Sequence, residues 1–396
     1  MFGLILIVLS TPAAEFFKDD RLVAIIRVLA IGTMISGLEN IGLVNFLRDL
    51  QFHRDFLFSV YKKLISLSIT VAFAIVFRDY WALIFGTVGG ILGGVLISYL
   101  MEPFRPRLSF TATRAIFDFS KWLVGNAIIN QITSTLDSII IGRGAGAQAL
   151  GAYNVSQDLV KIPSWEFMVP ATRALFPSYS KISNDVSRLR EFYLQHHAFL
   201  LMIAWPLTLG LSFVADDVIP VVLGDKWQSA IPILQALGPV ACVGLVWGDL
   251  PELLTAMNKP SAVTRTVVAN QVPRVVCILV GAQMYGLFGI IYGLMASNLI
   301  KLFFNSFQLR THLGLNLKTV ASKAWRISCG LAAMAIVVYL LRAGVDYPSH
   351  VAGLFIKVVA GGLAYVVTTL ILWVMSGRPS GPEELALGYF KRKHPS

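Results

Sequence analysis

The chain has 396 residues, 56% of them hydrophobic and only 14% charged, with a mean hydropathy of +0.69. A soluble globular chain is roughly half apolar and a quarter charged, so this composition excludes a water-facing fold around one core. The net charge of +11 has no aromatic-interleaved soluble patch beside it. That argues against a nucleic-acid partner and for the basic bias that membrane proteins carry on their inner face.

Apolar stretches recur from end to end, each of about 20 residues and long enough at 1.5 Å per residue to cross ~30 Å of hydrocarbon. Twelve spans are predicted: 2–17, 22–46, 57–77, 80–100, 119–142, 152–177, 198–216, 229–256, 263–284, 287–308, 322–342 and 351–376. The first, MFGLILIVLSTPAAEFF, has small residues after its apolar run as a signal peptide does, but no Lys or Arg before it. It is therefore read as a retained span. Lys and Arg alternate between the loops with a split of about 23 against 6, which places both termini on the basic, cytoplasmic side.

An internal repeat organises these spans. Residues 4–100 and about 202–308 each read as span, acidic outer loop, span, basic inner loop, span, tight turn and span, with matching points 205–211 apart. Duplication of this kind is how many transporters are built. The expected fold is an all-α integral membrane protein of about twelve transmembrane helices, in two pseudo-symmetric lobes plus two flanking C-terminal helices. The expected boundaries are an N-terminal lobe over 1–102, a basic proline-broken linker over 103–118, and a C-terminal lobe over 119–308. A loop with two extra spans over 309–376 and a cytoplasmic tail over 377–396 complete the chain. The second copy has two upstream spans that the first lacks, so the first lobe reads as short of about two helices.

Few residues carry obvious chemistry. Cys242, Cys277 and Cys329 fall in apolar runs and read as small buried space-fillers, and the six histidines show no metal-binding spacing. Gly142-Arg143-Gly144-Ala145-Gly146 lacks the phosphate-loop pattern, so no nucleotide or other cofactor is expected. Gly86, Gly90 and Gly94, with Gly89 and Gly93 beside them, predict close helix packing.

The informative residues are charges within spans, each costing about 2.5–3.5 kcal/mol at a helix centre on insertion scales. They are Arg27, Glu39, Asp137, Asp158, Lys161, Glu166, Arg274 and Lys357, with Asp249 and Glu252 nearer an inner end. Together they predict a polar cavity, which Asn126, Asn130 and Gln131 extend on the helix carrying Asp137. Interhelical ion pairs are the competing account, and Asp158 and Lys161, three apart, are placed to neutralise each other. Pro163, Pro170, Pro206, Pro232, Pro239, Pro251 and Pro273 are expected to interrupt the helices of the second copy.

Four motifs in order carry a resemblance. Leu47-Arg48-Asp49-Leu50-Gln51-Phe52, Phe117-Asp118-Phe119-Ser120-Lys121-Trp122, Ile139-Ile140-Ile141-Gly142-Arg143 followed by Leu150-Gly151-Ala152-Tyr153, and Pro170-Ala171-Thr172-Arg173-Ala174-Leu175-Phe176-Pro177 are similar to those of one family. That family is the polysaccharide transporters, or oligosaccharide flippases, of the multidrug, oligosaccharidyl-lipid and polysaccharide exporter superfamily. The resemblance implies a non-enzymatic exporter in a bacterial inner membrane, with two six-helix lobes across a cavity. Its implied partners are a polyprenyl-pyrophosphate-linked oligosaccharide, membrane lipids and other polysaccharide-assembly proteins. Arg27, Lys161 and Arg274 would then meet the anionic head group, Glu39, Asp137 and Asp158 would be candidates for ion coupling, and Glu166 would join the polar lining. A drug or cation antiporter of the same superfamily, a membrane polymerase or transferase, and an inactive remnant are the alternatives.

Overall fold

The computed structural model describes residues 2–49, 51–104, 131, 133–183, 185–344, 347–379 and 381–384. All regular structure among them is helical, as the composition predicts. Seven helices are long and apolar enough to cross a membrane, namely His53–Phe77, Trp81–Met101, Val186–Phe213, Ala230–Ala256, Ser261–Leu313, Ala324–Gly344 and His350–Met375. Ser261–Leu313 holds two of the predicted spans, so these seven account for eight of the twelve. The protein is therefore a membrane protein. Its residues fall into two compact units, 1–129 and 130–396, with the boundary inside the segment that is not described. The expected linker lies outside the described residues from 105 onward.

The first unit contains α1 (Phe2–Phe17), α2 (Arg21–Ser36), the short α3 (Val44–Arg48), α4 (Phe52–Phe77) and α5 (Trp81–Met101). The predicted span 22–46 is not one helix, because α2 ends at Ser36 and the chain turns before α3. Asn40 supports this break: its amide donates to the carbonyls of Glu102 (3.1 Å) and Phe104 (2.8 Å), and its oxygen accepts from the Gly42 N–H (2.9 Å). A break inside an apolar stretch needs such partners, since hydrocarbon supplies none. The glycine face of α5 packs on α4 as the spacing predicts. A Cβ at Gly86 would lie 1.7 Å from Thr70 Oγ1, one at Gly90 2.7 Å from Ser66 Cβ, and one at Gly94 2.9 Å from Lys62 Cε.

The second unit opens with a helix over 133–144, here α6, followed by α7 (Gly146–Pro163), a π-helical turn over Ser164–Met168 and α8 (Val169–Ile182). Next come α9 (Val186–Phe213), α10 (Ala215–Leu223), α11 (Ala230–Leu245), α12 (Leu250–Ala256) and α13 (Pro260–Leu313). α14 (Leu317–Gly344) and α15 (His350–Met375) complete it. Non-helical angles at Tyr285 and Gly286, the latter with φ 58°, divide α13 into two arms, where the sequence predicts separate spans. The arms pack at backbone distance: a Cβ on Gly281 would lie 2.0 Å from the Gly289 carbonyl oxygen.

The repeat survives as element order. The starts of α4 and α13 are 208 residues apart (52 and 260), and the tight turns before α5 and before the second arm of α13 fall in matching places. The prolines act less uniformly than expected. α9 and α11 run on through Pro206 and Pro239, whereas the π turn follows Pro163 and the break over 246–249 precedes Pro251. At that break the last carbonyls of α11 are capped from neighbouring helices. Trp205 Nε1 donates to the Cys242 carbonyl (3.0 Å) and Lys301 Nζ to that of Gly244 (3.1 Å), where a cation also suits the helix dipole.

The flanking pair α14 and α15 is tied to α9 and α10. Lys357 of α15 is buried and donates to Asp217 of α10 at 2.6 Å, so this intramembrane charge is consumed by an interhelical ion pair. Arg326 of α14 makes a bidentate bond to Glu383 (2.7 and 3.0 Å), with both side chains buried. The cysteines are free, but only Cys242 is buried; Cys277 is half-buried and Cys329 exposed, which corrects the expectation of three buried space-fillers.

Candidate functional site

The site is built from three helices of the second unit. α6 presents Asp137, fully buried. α7 presents Tyr153, Gln157 and Lys161, spaced four apart and therefore on one face. The first arm of α13 presents Arg274, next to Pro273. The Tyr153 hydroxyl and the Gln157 amide (2.7 Å) both donate to Asp137 Oδ2, and Lys161 Nζ donates to Gln157 Oε1 at 2.6 Å. Arg274 Nη2 stands 3.6 Å from the same carboxylate oxygen.

These distances decide what the arrangement does. A charge-assisted N–H···O⁻ bond closes to about 2.7–2.9 Å, so at 3.6 Å Arg274 is held by attraction and not locked by a direct bond. Its Nε and the other oxygen of Asp137 are buried with no partner among the described residues. Only Arg274 faces the carboxylate, and Lys161 is linked to it through Gln157, so the cluster holds two cations and one anion beside a half-exposed guanidinium. An anionic group approaching Arg274 meets an uncommitted bidentate donor. The π turn that follows Lys161 is of a kind frequent at functional sites.

Of the sequence candidates, the structure joins Asp137, Lys161 and Arg274. Lys161 bonds Gln157 and not Asp158, so the expected neutralisation within α7 does not form. Asp158, Glu166 and Gln131 are exposed, and Asn126 and Asn130 lie outside the described residues. Arg27 and Glu39 belong to the first unit. There Arg27 Nε donates to Ser10 (3.3 Å), and Glu39 accepts from Lys62 at 2.8 Å beside a cleft of about 430 Å³ lined by Ser59, Lys62, Ser66 and Thr87.

A second buried polar cluster surrounds Asp249, a charge the sequence singled out without its partners. His197 Nδ1 lies 3.0 Å from Asp249 Oδ1, both side chains 1% exposed, and the Tyr193 hydroxyl donates to the same oxygen at 3.0 Å. The imidazole lies nearly parallel to the rings of Tyr193 and Trp247, with ring centres 5.3 and 4.9 Å away. Trp247 sits at φ 62° in the break after α11, a left-handed conformation that costs a bulky residue strain. The readable signal was Trp247-Gly248-Asp249-Leu250-Pro251, a turn sequence inside an apolar span. Among the described residues no group of His, Cys, Asp and Glu side chains is placed to hold a metal ion.

Comparison with known proteins identifies the family. A family model described as polysaccharide biosynthesis protein matches residues 1–232, more than half of the chain. The chain belongs to that family. The matched region contains Asp137, Tyr153, Gln157 and Lys161, whereas Arg274 lies beyond it. Among curated relatives, the lipopolysaccharide biosynthesis protein WzxC of Escherichia coli K12 is 26% identical over 302 residues, which is 74% of this chain and 60% of WzxC. The teichuronic acid biosynthesis protein TuaB of Bacillus subtilis is 28% identical over 270 residues, 65% of this chain and 55% of TuaB. The match with each thus spans less than two thirds of that relative's length. Among solved structures, the lipid II flippase MurJ in an inward closed conformation aligns with a TM-score of 0.72, covering 95% of this chain and 82% of MurJ. At 14% identity that likeness shows the fold alone, an all-helical one.

Proposed function

We propose that this protein is a flippase, a non-enzymatic exporter that carries a polyprenyl-pyrophosphate-linked oligosaccharide across the bacterial inner membrane by alternating access, for surface polysaccharide synthesis. The observation that carries the reading is the Asp137–Arg274–Lys161 set: excess positive charge among apolar helices, in a member of a polysaccharide biosynthesis family. Pyrophosphate is the matching counter-charge, because a guanidinium offers it a planar pair of donors. In this reading Asp137 holds Arg274 while the site is empty and yields it to the head group when substrate enters. Outward movement of negative charge is favoured by an inside-negative potential by ~2.3 kcal/mol per charge per 100 mV, so the cycle needs no nucleotide. Both termini then lie in the cytoplasm.

The test replaces Arg274 in cells whose surface polysaccharide depends on this protein. Arg274→Ala should abolish polymer output and leave undiminished protein in the membrane fraction, while Arg274→Lys retains part of it. Unchanged polymer from Arg274→Ala would remove the residue from the mechanism. Altered drug sensitivity with normal polysaccharide would point to a drug antiporter instead.

A further inference from the structure

The cleft of about 430 Å³ in the first unit is lined by polar groups although it lies between two apolar helices, α4 and α5. α4 runs from residue 52 for 26 residues, so Lys62 and Ser66 stand ten and fourteen residues along it, near its middle. Thr87 reaches the same cleft from α5. The far side of α4 differs in kind: Leu57, Tyr61, Leu64, Val71 and Ile75 are exposed and recur at helical spacing there, as lipid requires. Charged side chains at bilayer depth face a watery cavity and not hydrocarbon. The internal repeat gives a second reason to read the cleft as a site. α13 begins 208 residues after α4, and that register sets Ser66 on Arg274 and Lys62 on Asn270. In the first copy the cleft therefore occupies the stretch of helix that carries the head-group candidate in the second.

The bonding capacity of the lining selects the ligand. Lys62 is held in place, since its ammonium donates to Glu39 at 2.8 Å and lies 5.6 Å from the centre of the Phe58 ring. Ser59 and Lys63, both exposed, have no side-chain partner among the described residues. The hydroxyl protons of Ser66 and Thr87 are spent on the carbonyls of Gly86 (2.9 Å) and Leu83 (2.8 Å), which leaves both oxygens free to accept. Glu39 accepts from Lys62 through one oxygen and keeps the other. Donors and acceptors thus stand side by side. A phosphate only accepts and would meet these lone pairs unfavourably, whereas a sugar hydroxyl donates and accepts at once. Gly90 and Ile91 add an apolar floor for the carbon face of a sugar ring. The volume suits a small ligand, for which clefts hold ~300–1,000 Å³.

We infer that the α4–α5 cleft is a saccharide subsite that takes a sugar ring by its hydroxyls, with Lys62 and Lys63 donating and Ser66, Thr87 and Glu39 accepting. Glu39 then serves sugar recognition and not ion coupling. The inference rests on the flippase reading in one respect, that the sugar arrives as part of a lipid-linked oligosaccharide.

Protection of introduced thiols tests it. In a background with Cys242, Cys277 and Cys329 replaced by alanine, single cysteines are introduced as Ser59→Cys and, separately, Ile91→Cys, which line the cleft without an assigned bond. Asn316→Cys, exposed in the second unit, is the reference. Modification by methyl methanethiosulfonate is followed by mass spectrometry on protein in nanodiscs. The additions are lipid-linked oligosaccharide extracted from cells whose surface polysaccharide depends on this protein, or polyprenyl pyrophosphate without sugar. At saturation the oligosaccharide-bearing lipid should slow labelling at 59 and 91 by about tenfold, and the sugar-free lipid by less than about twofold, because a covered thiol is shielded from reagent. Asn316→Cys should be unaffected by either. Thr87→Val, which removes an acceptor and keeps the shape, should raise the concentration for half-protection by about three- to tenfold. Equal protection by the two lipids, or none by either, would overturn the inference. If one cysteine variant does not fold, the other decides alone. Movement of the lipid-linked oligosaccharide without protection would refute the subsite and leave the flippase reading standing, and protection without movement would do the reverse.

Discussion

Removing Asp217 should damage the protein more than removing its partner Lys357. The pair is closed at 2.6 Å with both side chains under a tenth exposed. Breaking such a pair from one side costs about 3–5 kcal/mol, mostly because the surviving charge is left buried. The two survivors differ, however. Asp217 without Lys357 keeps His350 Nδ1 at 3.3 Å and sits in the first turn of α10, where the helix dipole favours an anion by ~0.3–1 kcal/mol. Lys357 without Asp217 has the face of Tyr347 5.0 Å away and apolar surroundings on α15. Asp217→Ala should therefore fall in the full range of about 3–5 kcal/mol, and Lys357→Met at about 1–3 kcal/mol. The double variant, which buries neither charge, should return to within ~1–2 kcal/mol of the parent. Thermal and denaturant unfolding of purified protein in one detergent measures all three. The reasoning fails if Lys357→Met is the more damaging change, or if the double variant is as unstable as Asp217→Ala.

Gly86→Leu should wedge α4 from α5, at about 1–3 kcal/mol or more, because even a Cβ would meet Thr70 Oγ1. Thr70→Ala should rescue Gly86→Ala in part, as read by melting temperature, since the nearest clashing atom is then gone. Glu383→Gln should loosen the segment after α15 by stranding the buried Arg326, seen as faster proteolysis at residues 377–384 and a lower melting temperature.

Fold class, the glycine-lined contact of α5 with α4 and the turn dividing α13 were legible because each depends on residues close in sequence. Composition and span length identify membrane helices, spacing by four identifies a face, and Gly286 marks a sharp turn. The partners of the buried charges were not legible. Asp217 and Lys357 are 140 residues apart, and His197 and Asp249 are 52 apart. No local pattern pairs groups brought together only by helix packing. Asp137, Lys161 and Arg274 were recognisable as costly intramembrane charges, but Gln157, which bridges two of them, was hidden because a single amide in a helix is unremarkable. The same limit explains Lys161, which sequence spacing pairs with Asp158 and the structure pairs with Gln157.

Translocation in a defined membrane tests the central claim most directly. The protein is reconstituted into liposomes holding a polyprenyl-pyrophosphate-linked oligosaccharide in one leaflet, and arrival of the sugar at the other is followed with an impermeant sugar-modifying enzyme. The account predicts that wild-type protein moves the lipid-linked oligosaccharide and that Arg274→Ala, equally well inserted, moves it no faster than protein-free vesicles. Absence of movement with the wild type, or equal movement with Arg274→Ala, would contradict it.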